Sequence, residues 1–173
     1  MPAIGMYDAS ATLFIRQLNG LATCLDKAQA HCDAKKIDPN ALLGARLYPD
    51  MFSFTRQVQI ACDHAKGAMA RLAGQEVPAY PDNEASFAEL KARVAKTVDF
   101  VKSVGAQVNG AEDRKVTVQM RAGPVEFTGL SYLQNSALPN FFFHVTTAYD
   151  ILRHNGLDLG KKDFLVGAFE LPQ

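Results

Sequence analysis

Cysteine is scarce in this sequence, and its few occurrences show neither a disulfide nor a metal-binding pattern. Cys24, Cys32 and Cys62 are an odd number without Cys-x-x-Cys spacing, which gives no support to a disulfide framework or a zinc knuckle. The first residues lack the basic start and the apolar run of a secretory signal. We therefore predict a cytoplasmic protein.

An excess of either charge is also missing. Eighteen Lys and Arg balance eighteen Asp and Glu, so no long-range basic field attracts a phosphate backbone, and we predict no nucleic-acid partner. The sequence has no Gly-x-Ser-x-Gly, no phosphate-binding loop and no dinucleotide fingerprint. These absences leave the reaction, if there is one, unspecified.

Amphipathic helices account for most of the chain. The 173 residues, 48% of them hydrophobic, suffice for one domain that spans 1–173. Apolar residues recur at steps of three and four over 11–35, 51–72 and 87–104, which predicts three long helices. A short helical turn over 38–43 is expected between the first two helices.

The chain between the third helix and the C-terminus predicts a hairpin and a fourth helix. Residues 115–120 and 124–127 alternate with period two, which is typical of two paired strands. The fourth helix runs from Thr128 toward Asn155, and Pro139 should kink or restart it. The pattern predicts an all-α four-helix bundle with a small β-hairpin between helices 3 and 4.

Residues 127–149 contain no Asp, Glu, Lys or Arg. Their length raises the question of a membrane span, but several polar side chains would then need partners in hydrocarbon. We therefore predict no membrane partner and a helix buried inside the bundle.

Polar residues on this uncharged helix mark the first candidate site. Ser136, Asn140, His144 and Thr147 are spaced by four, four and three residues, which places them on one face. One interpretation is a satisfied core network around a neutral histidine. The other is a cleft in which Asn140 and His144, one turn apart, face a ligand or a metal, although an amide is a poor ligand for zinc.

The second helix offers further candidates. Gln59 and Asp63 are one turn apart and either face the same cleft or form a solvated flank. Arg46 precedes the helix, and Asp50 is expected to cap it. His64, like His31, has charged or small neighbours and is expected at the surface.

Several stretches together resemble a known family. They are LGARL at 43–47, PDMF at 49–52, RQVQIACD at 56–63, LPNFFFHVTTAY at 138–149 and LRHNG at 152–156. Nearly the whole chain is similar to an uncharacterised bacterial family, the domain of unknown function nineteen-ninety-three, in the DinB/YfiT-like clan.

The resemblance implies a fold and a site. Members of the clan are four-helix bundles, often dimeric, and its metal-binding members use one histidine from helix 2 and a His-x-x-x-His pair from the last helix. Some relatives are thiol-cofactor-dependent transferases or isomerases, and others are metal-dependent hydrolases. Carried over by position, His144 matches the second histidine of the pair, Asn140 occupies the first position, and Gln59 is the expected helix 2 residue.

The first hypothesis is a DinB-like protein with a small-molecule pocket and a degraded metal site. The predicted metal positions are His144, Asn140 and Gln59; no cofactor is certain, and a weakly bound divalent metal stays open. The alternatives are a metal- or thiol-cofactor-dependent hydrolase or transferase, and a dimeric structural or interaction protein; we expect a homodimer. The predicted pocket residues are Arg46, Gln59, Asp63, Asn140, His144 and Tyr149.

Overall fold

The computed structural model describes residues 4–165 and is mostly helical, as predicted. The expected long helices correspond to α1 (Met6–Lys35), α3 (Phe54–Ala73), α4 (Phe87–Val104) and α6 (Leu138–His154). Within the described part of the chain there are also three short α-helices, α2 (Pro39–Leu43), α5 (Gly129–Tyr132) and α7 (Lys161–Phe164). The helix count therefore exceeds the predicted four.

The long helices do not pack in chain order. α1 lies against α4 and α6, while α3 lies against the same two helices from the other side. Their apolar faces meet in one core, in which Phe14 of α1 contacts Phe141 of α6 edge to face at 4.9 Å between ring centroids. α3 and α6, which carry the candidate residues, are therefore direct neighbours.

Several helix ends differ from the sequence-based prediction. α1 begins at Met6, five residues earlier than expected, and its N-cap is Gly5 rather than Asp8 or Ser10. α3 begins at Phe54 after the N-cap residue Ser53, so Asp50 does not cap it. α2 begins as predicted, with the Asp38 side chain accepting a hydrogen bond from the Asn40 amide at 2.9 Å.

The predicted hairpin is present between α4 and α6. Strands β1 (Lys115–Met120) and β2 (Gly123–Thr128) pair antiparallel, with Val116 opposite Phe127. Val116 is buried, which anchors the base of the hairpin on the helices. At the same base, a Cβ added to Gly129 would lie 1.9 Å from the carbonyl oxygen of Ala111, so only glycine allows this close approach.

The fourth predicted helix is interrupted before Pro139. α5 passes into a π-helical turn (Leu133–Ala137), and α6 starts at Leu138 with Pro139 in its first turn. Proline has no backbone N–H to donate to the preceding turn, so the wider turn and the restart are the expected consequence. The restart directs the next residues of α6 toward α3 and the hairpin.

Candidate functional site

α3, α6 and the hairpin enclose a hollow of about 290 Å³, which we call the hairpin cleft. β1 forms its roof, and α3 together with the segment that leads into α6 forms its floor and walls. Its volume lies at the lower edge of the range for small-molecule sites. It is lined by Asp63, His64, Arg71, Val118, Gln119, Met120, Tyr132, Ser136 and Asn140.

Two histidines meet beside this cleft. The imidazoles of His64 on α3 and His144 on α6 are stacked, with 5.6 Å between ring centroids and 14° between ring planes. His64 is half-buried and lines the cleft, whereas His144 is only 8% exposed. The prediction of a surface position for His64 is therefore wrong.

Gln57 fixes the tautomer of His144. Its Nε2 donates to the carbonyl of Phe52 at 3.3 Å, so its Oε1 faces Nδ1 of His144 at 2.6 Å and accepts a hydrogen bond. Nδ1 therefore carries the proton, and Nε2 retains its lone pair. No residue in the described range 4–165 supplies a hydrogen bond to Nε2.

Both imidazoles are held neutral near pH 7. Burial, with smaller contributions from His64 and Arg56, lowers the pKa of His144 to about 4. Burial also lowers the pKa of His64, and Asp63 opposes this shift. The pair therefore offers nitrogen lone pairs rather than positive charge.

The negative charge of Asp63 is balanced by two cations, Arg93 on α4 and Lys66 on α3. Its Oδ1 lies 2.8 Å from Nη2 of Arg93 and 2.7 Å from Nζ of Lys66. The buried Arg93 also pairs with Glu84 and Asp82, both at 3.0 Å. Burial disfavours ionisation of Glu84, but hydrogen bonds from Arg93 and Gln59 outweigh it and lower its pKa. Asp63 therefore lines the cleft without making it strongly acidic.

Asn140 lies at the mouth of the cleft. Its Nδ2 donates to the carbonyl of Ser136 at 2.7 Å, which leaves Oδ1 as the free polar atom. Together with His64 and Asp63, it places three polar side chains from two helices around one hollow. Of the predicted pocket residues, Asp63 and Asn140 line this cleft, and His144 lies beside it against His64. Whether any of them binds a ligand stays a prediction.

The other three predicted pocket residues point elsewhere. Gln59 donates to Glu84 at 2.9 Å and accepts from Arg56 at 3.2 Å, on the side of the 75–86 segment. Arg46 is exposed and donates to the carbonyl of Met51. Tyr149 packs against Phe164 at 5.7 Å and lines a separate hollow.

Helix geometry explains both the misplaced and the missed residues. A helix turns by about 100° per residue, so Gln59 lies on nearly the opposite side of α3 from Gln57. His64, seven residues after Gln57, returns to the same side. The signal for both missed residues was their phase on the apolar face of α3, since Gln57 follows Phe54 by three positions and His64 follows Ala61 by three.

Few nitrogen and oxygen atoms beside the hairpin cleft could serve as metal ligands. No group of three or more His, Cys, Asp or Glu side chains able to hold a metal occurs among residues 4–165. His64 and His144 supply two imidazoles, and Asn140 supplies an amide oxygen. Catalytic zinc sites use three protein ligands of the imidazole, carboxylate or thiolate type, so this donor set does not fit a tightly held zinc ion.

Comparisons with known proteins agree on the type of fold. The family model for a domain of unknown function, DUF1993, matches residues 6–165. The crystal structure of a DinB family member protein from Shewanella denitrificans matches with a TM-score of 0.86 and 38% sequence identity, covering 97% of this chain and 95% of that chain. No curated protein matches. In the described range, no helix combines the length and apolarity that a membrane crossing requires.

Proposed function

We propose that this chain, which belongs to the DUF1993 family, binds a small molecule in the hairpin cleft without a tightly held metal. The observation that supports this proposal is the pair of neutral imidazoles stacked beside a polar hollow of about 290 Å³. The four long helices act as a DinB-type bundle that holds the cleft floor, and the hairpin closes it from above.

The donor set supports the loss of strong metal binding. Asn140 replaces an imidazole nitrogen by an amide oxygen, which is a weaker ligand for zinc or nickel. Asp63 is already paired with Arg93 and Lys66, so its use as a third ligand would break two ion pairs. A weakly bound divalent ion on His64 and His144 remains compatible with this proposal.

Ligand binding is tested with the histidines as reporters. The purified chain is screened against a fragment library while NMR records the imidazole nitrogens of His64 and His144. We expect a subset of fragments to shift these signals in the wild type and not in Asn140→Trp, whose indole would fill the cleft mouth. Gln134→Trp, an exposed position outside the cleft lining, is the matched control. If no fragment moves either histidine, the proposal is wrong.

Metal content is measured separately. The protein is incubated with Zn²⁺, Ni²⁺ and Mn²⁺, desalted, and analysed by mass spectrometry for bound metal. We expect well under one ion per chain. A stoichiometric ion that survives desalting would contradict the proposed loss of metal.

The accessible histidine favours an enzyme as a second candidate, a hydrolase or transferase with acid-base catalysis. His144 is a poor base because its pKa is about 4, but His64 lines the cleft and is half-buried. Activity against thiol adducts and simple esters that is lost in His64→Gln and kept in the exposed variant His154→Gln would support this candidate.

An apolar surface favours the third candidate, a homodimer. Leu47, Met51, Phe142 and Phe143 line a groove of about 440 Å³ between the loop before α3 and α6. Phe143 is 56% exposed. Exposed apolar patches of this kind are typical of protein contacts, so we propose self-association through this groove. The cytoplasmic location and the absence of a nucleic-acid partner stay predictions.

A further inference from the structure

Arg71 is a cation without a counter-charge in the wall of the hairpin cleft. It is half-buried on α3, and no carboxylate lies within ion-pair distance of it among residues 4–165. Asp63, the acidic residue of the cleft lining, is paired with Arg93 and Lys66. The cleft therefore carries a net positive charge on one wall.

The guanidinium of Arg71 is held in a defined position. Its Nη1 donates to the Tyr132 hydroxyl oxygen at 3.2 Å, and the guanidinium carbon lies 6.0 Å from the centre of the Tyr132 ring. It also lies directly over Gly67, where an added Cβ would sit 2.6 Å from Nη1. Binding of an anion to Arg71 therefore costs little side-chain conformational entropy, because the guanidinium is already ordered.

Tyr132 supplies a second donor at the same end of the cleft. It is only 2% exposed, and its oxygen accepts from Arg71. Its own O–H has no acceptor among the described residues. Burial raises the pKa of Tyr132, so the hydroxyl keeps its proton at neutral pH. The guanidinium retains further N–H donors beyond the one given to Tyr132.

We infer that the hairpin cleft is selective for a small monoanion, a carboxylate held by the Arg71 guanidinium and the Tyr132 hydroxyl. A planar carboxylate matches the fork of guanidinium donors. Beyond this end, Asn140 and His64 receive the polar groups of the rest of the ligand. The inference rests on the proposed function, because it assigns a ligand class to the same cleft.

The test uses matched pairs of small compounds that differ only in an acid and its neutral amide, such as benzoate with benzamide and butyrate with butyramide. Titrations follow the imidazole nitrogens of His64 by NMR. We expect the acids to bind at least about tenfold more tightly than their amides, as for a charge-assisted hydrogen bond. The acid affinity should fall as salt is raised, since the contact is ionic.

Two variants of Arg71 distinguish the effect of its positive charge from that of its forked guanidinium. Arg71→Gln should lower the acid affinity at least about tenfold and leave the amide affinity unchanged, while Arg71→Lys should give an intermediate loss because it keeps the charge without the fork. Arg121→Gln, which removes the same charge from the exposed hairpin turn outside the lining, should have no effect. Melting temperatures confirm that each variant is folded.

Two outcomes overturn the inference in different ways. If amides move His64 as strongly as acids, or if Arg71→Gln binds acids as the wild type does, the cleft binds ligands but is not selective for anions. If neither member of any pair, nor any library fragment, moves His64 or His144, ligand binding in the cleft fails as well.

Discussion

Nδ1 of His144 lies 2.6 Å from Oε1 of Gln57, so an amide on α3 selects which nitrogen of an imidazole on α6 carries the proton. A carboxamide accepts the Nδ1 proton without adding a negative charge. His144 thus remains neutral in a buried position, with Nε2 unprotonated. Burial of this neutral imidazole lowers its pKa and so gives the pH dependence of stability a definite direction.

We predict that the chain loses stability as the pH falls below the ordinary histidine range. The pKa of His144 is lowered from 6.5 to about 4 in the folded state, so the unfolded chain binds the proton more readily. The contribution of His144 to the free energy of unfolding is fully present above about pH 6.5 and decreases between pH 6.5 and 4. The loss from this group reaches on the order of 3 kcal/mol.

The measurement is urea unfolding at pH 7.5, 6, 5 and 4.5. The free energy of unfolding should decrease less between pH 7.5 and 4.5 in His144→Gln than in the wild type. The difference should be most of the contribution assigned to His144. The exposed His154→Gln serves as the control and should follow the wild type. An unchanged pH dependence in His144→Gln would show that His144 does not titrate as described.

A second prediction concerns the missing metal donor. In Asn140→His, the new imidazole lies one turn before His144 and faces the same cleft as His64. Three imidazoles satisfy the usual requirement of a catalytic zinc site. We expect zinc affinity to rise at least about tenfold, measured by competition with a chromophoric chelator.

Gln134→His adds a histidine outside the cleft lining and should leave zinc affinity at the wild-type value. Equal zinc binding by Asn140→His and Gln134→His would mean that His64 and His144 cannot turn toward a common ion.

A third prediction concerns the cluster around Arg93. Arg93→Met removes a buried guanidinium that joins α4 to Asp63, Asp82 and Glu84. We expect a loss of about 3 kcal/mol, at the low end for a broken buried ion pair, because two of these carboxylates are about one third exposed. Chemical unfolding measures the loss.

Lys91→Met provides the comparison at the surface. It breaks the exposed pair of Lys91 with Asp26, in which both side chains are about half exposed. Its cost should stay below about 1 kcal/mol. A similar cost for both variants would contradict a special role for the buried cluster.

A fourth prediction tests self-association. Phe143→Asp places a charge in the apolar groove beside Leu47 and Met51, and we expect the molar mass in light scattering to fall from dimer to monomer. Ile4→Asp, an equally polar change at an exposed residue elsewhere, should leave the mass unchanged. A wild type that is monomeric at micromolar concentration would remove the groove as a dimer contact.

The sequence was informative wherever periodicity and local capping decide the structure. The long helices, the hairpin and the restart at Pro139 follow from patterns of side chains that each segment carries by itself. The common face of Asn140 and His144 follows in the same way. The start of α3 was misplaced because Asp50 and Ser53 are both reasonable N-cap residues. In the structure the Phe54 amide donates to the Ala45 carbonyl and the Thr55 hydroxyl donates to the Leu43 carbonyl, which fixes the first turn after Ser53.

The contacts of His144 with His64 and Gln57 could not be predicted from α6 alone, because both residues lie on α3. His64 stands beside Asp63, which suggested a solvated position, but Asp63 turns toward Arg93 and leaves His64 facing α6. Gln59 was selected for the helix 2 position, and Gln57 was missed, because the rotation of α3 about its own axis was not known. That rotation is set by the packing of the whole apolar face, not by the polar residues themselves.

Buried Val116 and the tight contact at Gly129 hold the base of the hairpin on the helices, while Gln119 and Met120 line the cleft from exposed strand positions. Because both side chains are exposed, substitutions at Gln119 and Met120 should reshape the wall that β1 gives to the cleft while the free energy of unfolding stays nearly constant.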